Sequence, residues 1–225
     1  MQPVLPIRAV EVSKTYASGG GSVRALVGVS LEMRPGEMVA LVGPSGCGKS
    51  TLLNLIGCID VPTAGSVFVD GCETHALDDD ALTALRRDRV GTVFQFFNLL
   101  PAMTVAENVA LPLILQRRPA RQIEERVAGA LAAVGIAEKA DVYPAQLSGG
   151  QAQRAALARA VIHRPAIVLA DEPTGNLDSQ SGAMVLKLLR DVADGGQAIL
   201  LATHWPQAAE WCDRTIRLQD GRIVA

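Results

Sequence analysis

Aromatic side chains are scarce in this sequence: Phe, Trp and Tyr together make up 4% of its 225 residues. Any core therefore rests on Ala, Val, Leu and Ile. With apolar residues at 49%, the chain is long and apolar enough to bury a sizeable one and disorder is excluded as its description. No excess of one charge exists either. Lys plus Arg total 21 against 23 for Asp plus Glu, a net charge of -2. That balance argues against a general nucleic-acid binder, which carries a marked basic excess. Long apolar runs are missing as well. The best segment, Val105 to Leu115, is broken by Glu107, Asn108 and Pro112 and falls far short of the ~20 residues of a membrane span. Met1 to Val10 lacks the basic start and apolar stretch of a signal peptide, so the expectation is a chain that stays in the cytoplasm. Cysteine is rare: Cys47, Cys58, Cys72 and Cys212 form no CxxC pair and no zinc spacing. Free thiols in a reducing compartment are the plain reading.

What is present is a set of short apolar runs bounded by turn formers. Met38 to Val42, Val90 to Phe94, Ile167 to Ala170 and Ala198 to Ala202 read as strands. The last three are continuous rather than alternating, as strands covered on both faces are. Ile7 to Val12 and Val27 to Met33 alternate and predict half-exposed antiparallel strands, with a loose stretch at Ala17 to Ser22. Ser66 to Val69 before Asp70-Gly71 predicts a strand and tight turn, and Thr215 to Leu218, Asp220-Gly221 and Arg222 to Val224 a terminal hairpin. Between Asn98 and His163 the spacing turns helical, over Thr104 to Leu111, Ala120 to Val134 and Gly149 to His163. The expectation is one α/β domain over residues 1–225, with a helical lobe inserted at about 98–163.

Gly43-Pro44-Ser45-Gly46-Cys47-Gly48-Lys49-Ser50 fits GxxxxGK[ST] in full, after a strand and before the helix-forming run Thr51 to Ile56. Such a loop curls so that backbone N–H groups face phosphate oxygens, with the positive end of the helix dipole behind them. Lys49 is placed to reach the β- and γ-phosphates and the Ser50 hydroxyl to ligate Mg²⁺. Cys47, at a helix N-terminus, is open to two readings: an activated thiolate, or a small packing residue, the latter favoured because no base is evident. Asp171 and Glu172 follow the strand Ile167 to Ala170, where open α/β sheets put ligands. Asp171 suits the Mg²⁺ shell, through water, and Glu172 the polarisation of an attacking water. Leu147-Ser148-Gly149-Gly150-Gln151 opens a helical run. Ser148 suits an N-cap and the glycines leave N–H groups bare for an anion, although an ordinary capped helix fits the same residues.

Leu147 to Gln151 reads LSGGQ, the signature of ABC-type ATPases, and together with the phosphate loop and the acid pair it resembles that family along essentially the whole chain. The resemblance implies a P-loop NTPase core with a parallel sheet, an antiparallel N-terminal β subdomain and the inserted helical subdomain. It implies that Gly43, Pro44, Ser45, Gly46, Cys47, Gly48, Lys49, Ser50 and Thr51 hold ATP, with Tyr16 stacking on adenine. It implies further that Gln95 touches Mg²⁺ and the attacking water, that Asp178 addresses an opposite subunit, and that His204 senses the γ-phosphate. Phe94 to Pro101, Thr104 to Asn108 and Glu172 to Asp178 resemble the group serving lipoprotein release and macrolide export. Gln151-Ala-Gln-Arg154 departs from the common Gln-Gln-Gln-Arg; Ala152 faces away from the cradle on helical spacing.

For the family, two copies meet head to tail, Ser148, Gly149, Gly150 and Gln151 of one closing on the ATP of the other. The expected protein is an ATP-hydrolysing subunit, peripheral on the cytoplasmic face of the inner membrane. It drives an integral permease in export, lipoprotein release or mechanical transmission, and takes no nucleic acid as partner. Phe96, Phe97, Leu99, Leu100 and Met103 suit a docking face for that permease and equally a hydrophobic interior. A soluble relative acting on DNA or ribosomes needs coiled-coil insertions or tandem units that 225 residues do not hold. A regulator without turnover is disfavoured by the presence of both Glu172 and His204.

Overall fold

The computed structural model describes residues 4–18 and 21–224; Gly19 and Gly20, within the stretch expected to be loose, lie outside them. The chain runs through β1 (Ile7–Ser18), β2 (Gly21–Met33), β3 (Met38–Val42), α1 (Lys49–Ile56), β4 (Ala64–Val69), β5 (Cys72–Glu73), α2 (Asp79–Arg89) and β6 (Val90–Phe94). It continues through α3 (Val105–Leu115), α4 (Ala120–Ala133), α5 (Gly149–Val161), β7 (Ile167–Asp171) and α6 (Ser179–Asp194). It ends with β8 (Ala198–Thr203), a short α7 (Pro206–Ala209), β9 (Arg214–Gln219) and β10 (Arg222–Val224).

The alternating strands near the start form an antiparallel sheet in the order β2-β1-β4-β5. Its first hairpin is longer than the alternation predicts, because β1–β2 pairing continues from Val12 to Ser18 through several register shifts. Glu11, at φ 48°, lies where those shifts begin, and an irregularity of this kind erases the period-two signal beyond it. Asp70-Gly71 and Asp220-Gly221 both take positive φ at both residues, the backbone that two-residue hairpin turns require.

The continuous apolar runs form the second sheet, β10-β9-β3-β8-β7-β6, in which β9 through β6 are mutually parallel and β10 is antiparallel. Both faces are covered. Leu200 and Ala202 of β8 pack with Leu52, Leu55 and Ile56 of α1, while Ile199 and Leu201 pack with Leu157 of α5 and Val185, Leu186 and Leu189 of α6. Burying each of these Leu, Ile and Val side chains stabilises by roughly 1.5–3 kcal/mol. Among the described residues between β6 and β7 there are helices and no strand. They share a core of Val105, Val109, Leu113, Val127, Leu131 and Ala158. Thr104 caps α3 through a reciprocal box with Glu107. The parallel order also brings four strand ends side by side: β3, β6, β7 and β8 stop at Val42, Phe94, Asp171 and Thr203. Gly43, Gln95, Glu172 and His204 therefore leave the same edge of one sheet.

Candidate functional site

Ser45, Gly46, Lys49, Ser50, Gln95, Asp171, Glu172 and His204 line a single cleft of about 450 Å³ beyond those strand ends. Its floor is the Gly43–Ser50 loop. A side chain at Gly43 would meet the Leu218 carbonyl at 2.1 Å, so only glycine lets the loop lie against β9. Gly46 and Gly48 take φ of 78° and 108°, conformations that L-residues resist. A methyl at Gly46 would meet nothing within 4 Å, so the loop is open on that side, as a phosphate cradle must be. Lys49 is 8% exposed and its ammonium donates to the carbonyls of Gly43 (2.8 Å) and Pro44 (3.1 Å). It is bent over the loop with its charge facing the cleft.

Opposite Lys49 lie the acids. The Ser50 hydroxyl donates to Asp171 Oδ2 at 3.2 Å. Burial raises the Asp171 carboxyl above the usual carboxylate value and the Glu172 charge adds to that, against the pull of Ser50 and Lys49. A hydroxyl, a carboxylate and the Gln95 amide thus offer hard oxygen donors, the set that suits Mg²⁺, and a cation there offsets the cost of charge on Asp171. Among the described residues no group of three or more His, Cys, Asp or Glu converges. Glu172 stands at φ 49°, held by its N–H to the Ala202 carbonyl at 2.9 Å. Its Oε1 lies 2.8 Å from His204 Nδ1. A non-glycine residue in this conformation stores strain of about 1–3 kcal/mol, and such strain concentrates at functional sites.

Gln95 has intrachain partners that motif reading does not reveal. Its Nε2 donates to Asn176 Oδ1 at 3.4 Å and its carbonyl accepts from Asn176 Nδ2 at 3.2 Å. A methyl added to Gly175 would sit 2.9 Å from Gln95 Nε2. The only sequence trace of these contacts is the Gly175-Asn176 dipeptide beside Asp178.

Other expected site residues stand outside the cleft. Ser148 caps α5 as its position predicts, accepting from Gln151 N at 3.3 Å, while Gln151 Oε1 accepts from Ser148 N at 2.9 Å. Ser148 and Gly149 are exposed. Gly150 packs on Ser181, whose hydroxyl donates to Asp178 Oδ2 at 2.7 Å. Asp178 itself caps α6, and the Ser181 backbone and hydroxyl bonds hold its carboxyl below the usual value. Tyr16 is 38% exposed, its hydroxyl on Asp60 Oδ2 at 2.9 Å and Lys14 Nζ 5.0 Å from its ring centre. Asp60 also pairs with Lys14 at 2.5 Å, a tie invisible in sequence. Cys47 is buried against Gly43, the packing role. His163, no part of the site, donates from Nε2 to the Val90 carbonyl at 3.2 Å, and burial lowers its pKa. Ala152 is buried, away from the exposed signature residues.

The family described as ABC transporter matches residues 26–175. MJ0796, an uncharacterized ABC transporter ATP-binding protein of Methanocaldococcus jannaschii, is 47% identical over 222 residues, 96% of this chain and 94% of that protein. The lipoprotein-releasing system ATP-binding protein LolD of Bordetella avium is 46% identical over 219 residues, 97% of this chain and 95% of its own. The macrolide export ATP-binding/permease protein MacB of Brucella melitensis is 45% identical over 219 residues, 97% of this chain but 34% of MacB. This chain therefore spans about a third of that relative's length. A solved dimeric structure of MJ0796 in a post-hydrolysis state, bound to ADP and Pi, overlays with a TM-score of 0.90 at 43% identity, covering 97% of each chain. Near half identity to two relatives of nearly the same length, on a common fold, admits one conclusion. The chain belongs to the ABC transporter family, as an ATP-binding and ATP-hydrolysing subunit similar to LolD and to the ATP-binding part of MacB.

Proposed function

We propose that two copies of this chain hydrolyse ATP at shared sites and that their closing and opening drives a membrane permease. In each site Lys49 and the loop N–H groups from Gly43 to Thr51 hold the phosphates, and Tyr16 covers the adenine. Ser50, Gln95 and Asp171, the last through water, hold Mg²⁺, which when bound neutralises charge developing on the phosphates. Glu172 accepts a proton from the attacking water, and His204, paired with it, is set against the γ-phosphate. Ser148, Gly149, Gly150 and Gln151 come from the second copy, and Asp178 faces it. Two helix N-termini then oppose one triphosphate, and their grip lasts only while the γ-phosphate bridges them. Residues 98–163 act as a lobe inserted in one domain. Phe96, 73% exposed, and Leu100, 46% exposed, offer the permease an apolar face. The described residues contain no helix long and apolar enough to cross a membrane. The chain is placed peripherally on the cytoplasmic face because it is proposed to work on a permease there. Macrolide export and lipoprotein release are the work of the relatives, and we assign this chain to work of that kind.

The observation that carries this reading is the 2.8 Å Glu172–His204 pair facing Lys49 and Ser50 across one cleft. Glu172→Gln tests it: turnover is expected to fall by about a hundredfold or more while ATP affinity stays. Retained turnover refutes the assignment.

A further inference from the structure

Two polar side chains of α5 reach the loop that carries Gln95. Gln153 is fully buried, and its Nε2 donates to the carbonyls of Phe94 at 3.2 Å and Pro173 at 2.7 Å. Those carbonyls belong to the residue just before Gln95 and the residue just after Glu172. The other end of that amide, Oε1, is buried without a protein partner. An apolar side chain of the same size avoids that cost but leaves the Phe94 and Pro173 carbonyls without the donor that Gln153 gives them. Further along the helix, Arg159 donates from Nη1 to the Asn98 carbonyl at 2.6 Å and from Nη2 to the Phe97 carbonyl at 2.9 Å. Phe97 and Asn98 stand at φ of 61° and 50°, two successive non-glycine residues in the left-handed region, a conformation that persists only when surroundings enforce it. Among the described residues Arg159 forms no ion pair, and burial lowers its pKa. A half-buried cation without a carboxylate is costly, and its fork is spent on the two carbonyls that define this turn.

We propose that Arg159 and Gln153 are positioning residues for hydrolysis: they fasten the Gln95 loop and the Glu172 backbone to the helix that Ser148 opens. When a second copy presses on the Ser148 end, Gln95 and Glu172 move with it as one piece, so closure sets the water-activating groups. The inference rests on the roles proposed for Gln95, Glu172 and Ser148. It applies the rule that catalytic groups displaced by a fraction of an ångström lose turnover rather than binding.

Steady-state ATP hydrolysis by Arg159→Met, Arg159→Lys and Gln153→Leu, with thermal unfolding of each, is the test. Arg159→Met and Gln153→Leu are expected to lower kcat about tenfold or more while KM for ATP stays within about twofold. Arg159→Lys, which restores charge and one bond of the fork, is expected to fall between Arg159→Met and the parent chain. A kcat within about twofold of the parent in folded Arg159→Met overturns the proposal. So does a fall in kcat that comes with lost ATP affinity and is not relieved by lysine, the mark of a merely structural role. Should Arg159→Met not fold, Gln153→Leu and Arg159→Lys decide on the same terms. Glu172→Gln is assayed in parallel: if it turns over normally, the underlying catalytic assignment fails, whatever α5 does.

Discussion

Gly175→Ala is the substitution whose outcome is tied most closely to distances. The backbone there is outside the left-handed region, so alanine fits the conformation. The added methyl, however, lies 2.9 Å from Gln95 Nε2 and 3.4 Å from the Glu172 carbonyl. Ordinary contact begins at 3.4 Å, so the amide must retreat by about 0.5 Å. It moves easily, being the end of a flexible side chain, but its 3.4 Å bond to Asn176 has no slack and breaks. A displacement of about 1 Å at a catalytic group costs about a hundredfold in rate, so half of that costs about tenfold, or about 1.4 kcal/mol in the barrier. Folding gains about 0.4–1 kcal/mol because alanine restricts the unfolded chain, and loses a similar amount to the displaced amide. Phosphate release at saturating ATP, read beside urea unfolding, separates the two effects. The expected result is a kcat lowered about tenfold with stability unchanged within about 1 kcal/mol. Undiminished kcat refutes the placement of Gln95 at the reacting groups.

The same geometry sets the outcome of three further perturbations. Gly43→Ala puts a methyl 2.1 Å from the Leu218 carbonyl and 2.7 Å from Cys47 Sγ. Because a backbone carbonyl cannot rotate away, it is expected to cost about 1–3 kcal/mol of stability and to abolish ATP binding in a nucleotide titration. Asp213 accepts from Met38 N at 2.8 Å and pairs with Arg190 at 3.0 Å, and the Met38 bond holds its carboxyl below the unfolded value of 3.8. The ionised form is thus favoured by folding, so its contribution is present above about pH 4 and is lost as pH falls through the lowered folded value. Half-exposed and screened, the pair contributes under about 1 kcal/mol; Asp213→Asn is expected to lower stability by that much in urea at neutral pH, with the gap closing in acid. Burial pushes the Cys58 thiol up to about 11 and the Cys212 thiol up to about 12. A thiol reagent at about pH 8 is therefore expected to label exposed Cys72 first, with Cys58 and Cys212 far slower by mass spectrometry.

The parallel sheet was legible because strands buried on both faces read as unbroken apolar runs. In β8, Ile199, Leu200 and Leu201 are all fully buried, so no alternation is needed to find the strand. Helix α2 has no fully buried residue, and its apolar face is only the short pair Leu82 and Leu85, partly buried against the core, too little to announce a helix. The stripe of α6, Gly182, Val185, Leu186, Leu189 and Ala193, is present in the sequence at helical spacing, with Asp178 as its N-cap. At the site, residues read from motifs come off adjacent strand ends, and topology brings them together. The groups that hold them are not local. Asn176 meets Gln95 across 81 positions, Gln153 meets Phe94 across 59 and Tyr16 meets Asp60 across 44. Such contacts carry no short-range pattern, and only the folded chain reveals them.

The most direct test of the shared site is the mass of Glu172→Gln in solution with ATP, measured by light scattering after sizing. The two-copy arrangement predicts a shift from the single-chain 23.7 kDa to twice that mass, and reversal of the shift when Ser148→Arg is added to the same chain. A nucleotide-loaded protein that stays at the mass of one chain, or a dimer indifferent to the Ser148 change, contradicts it.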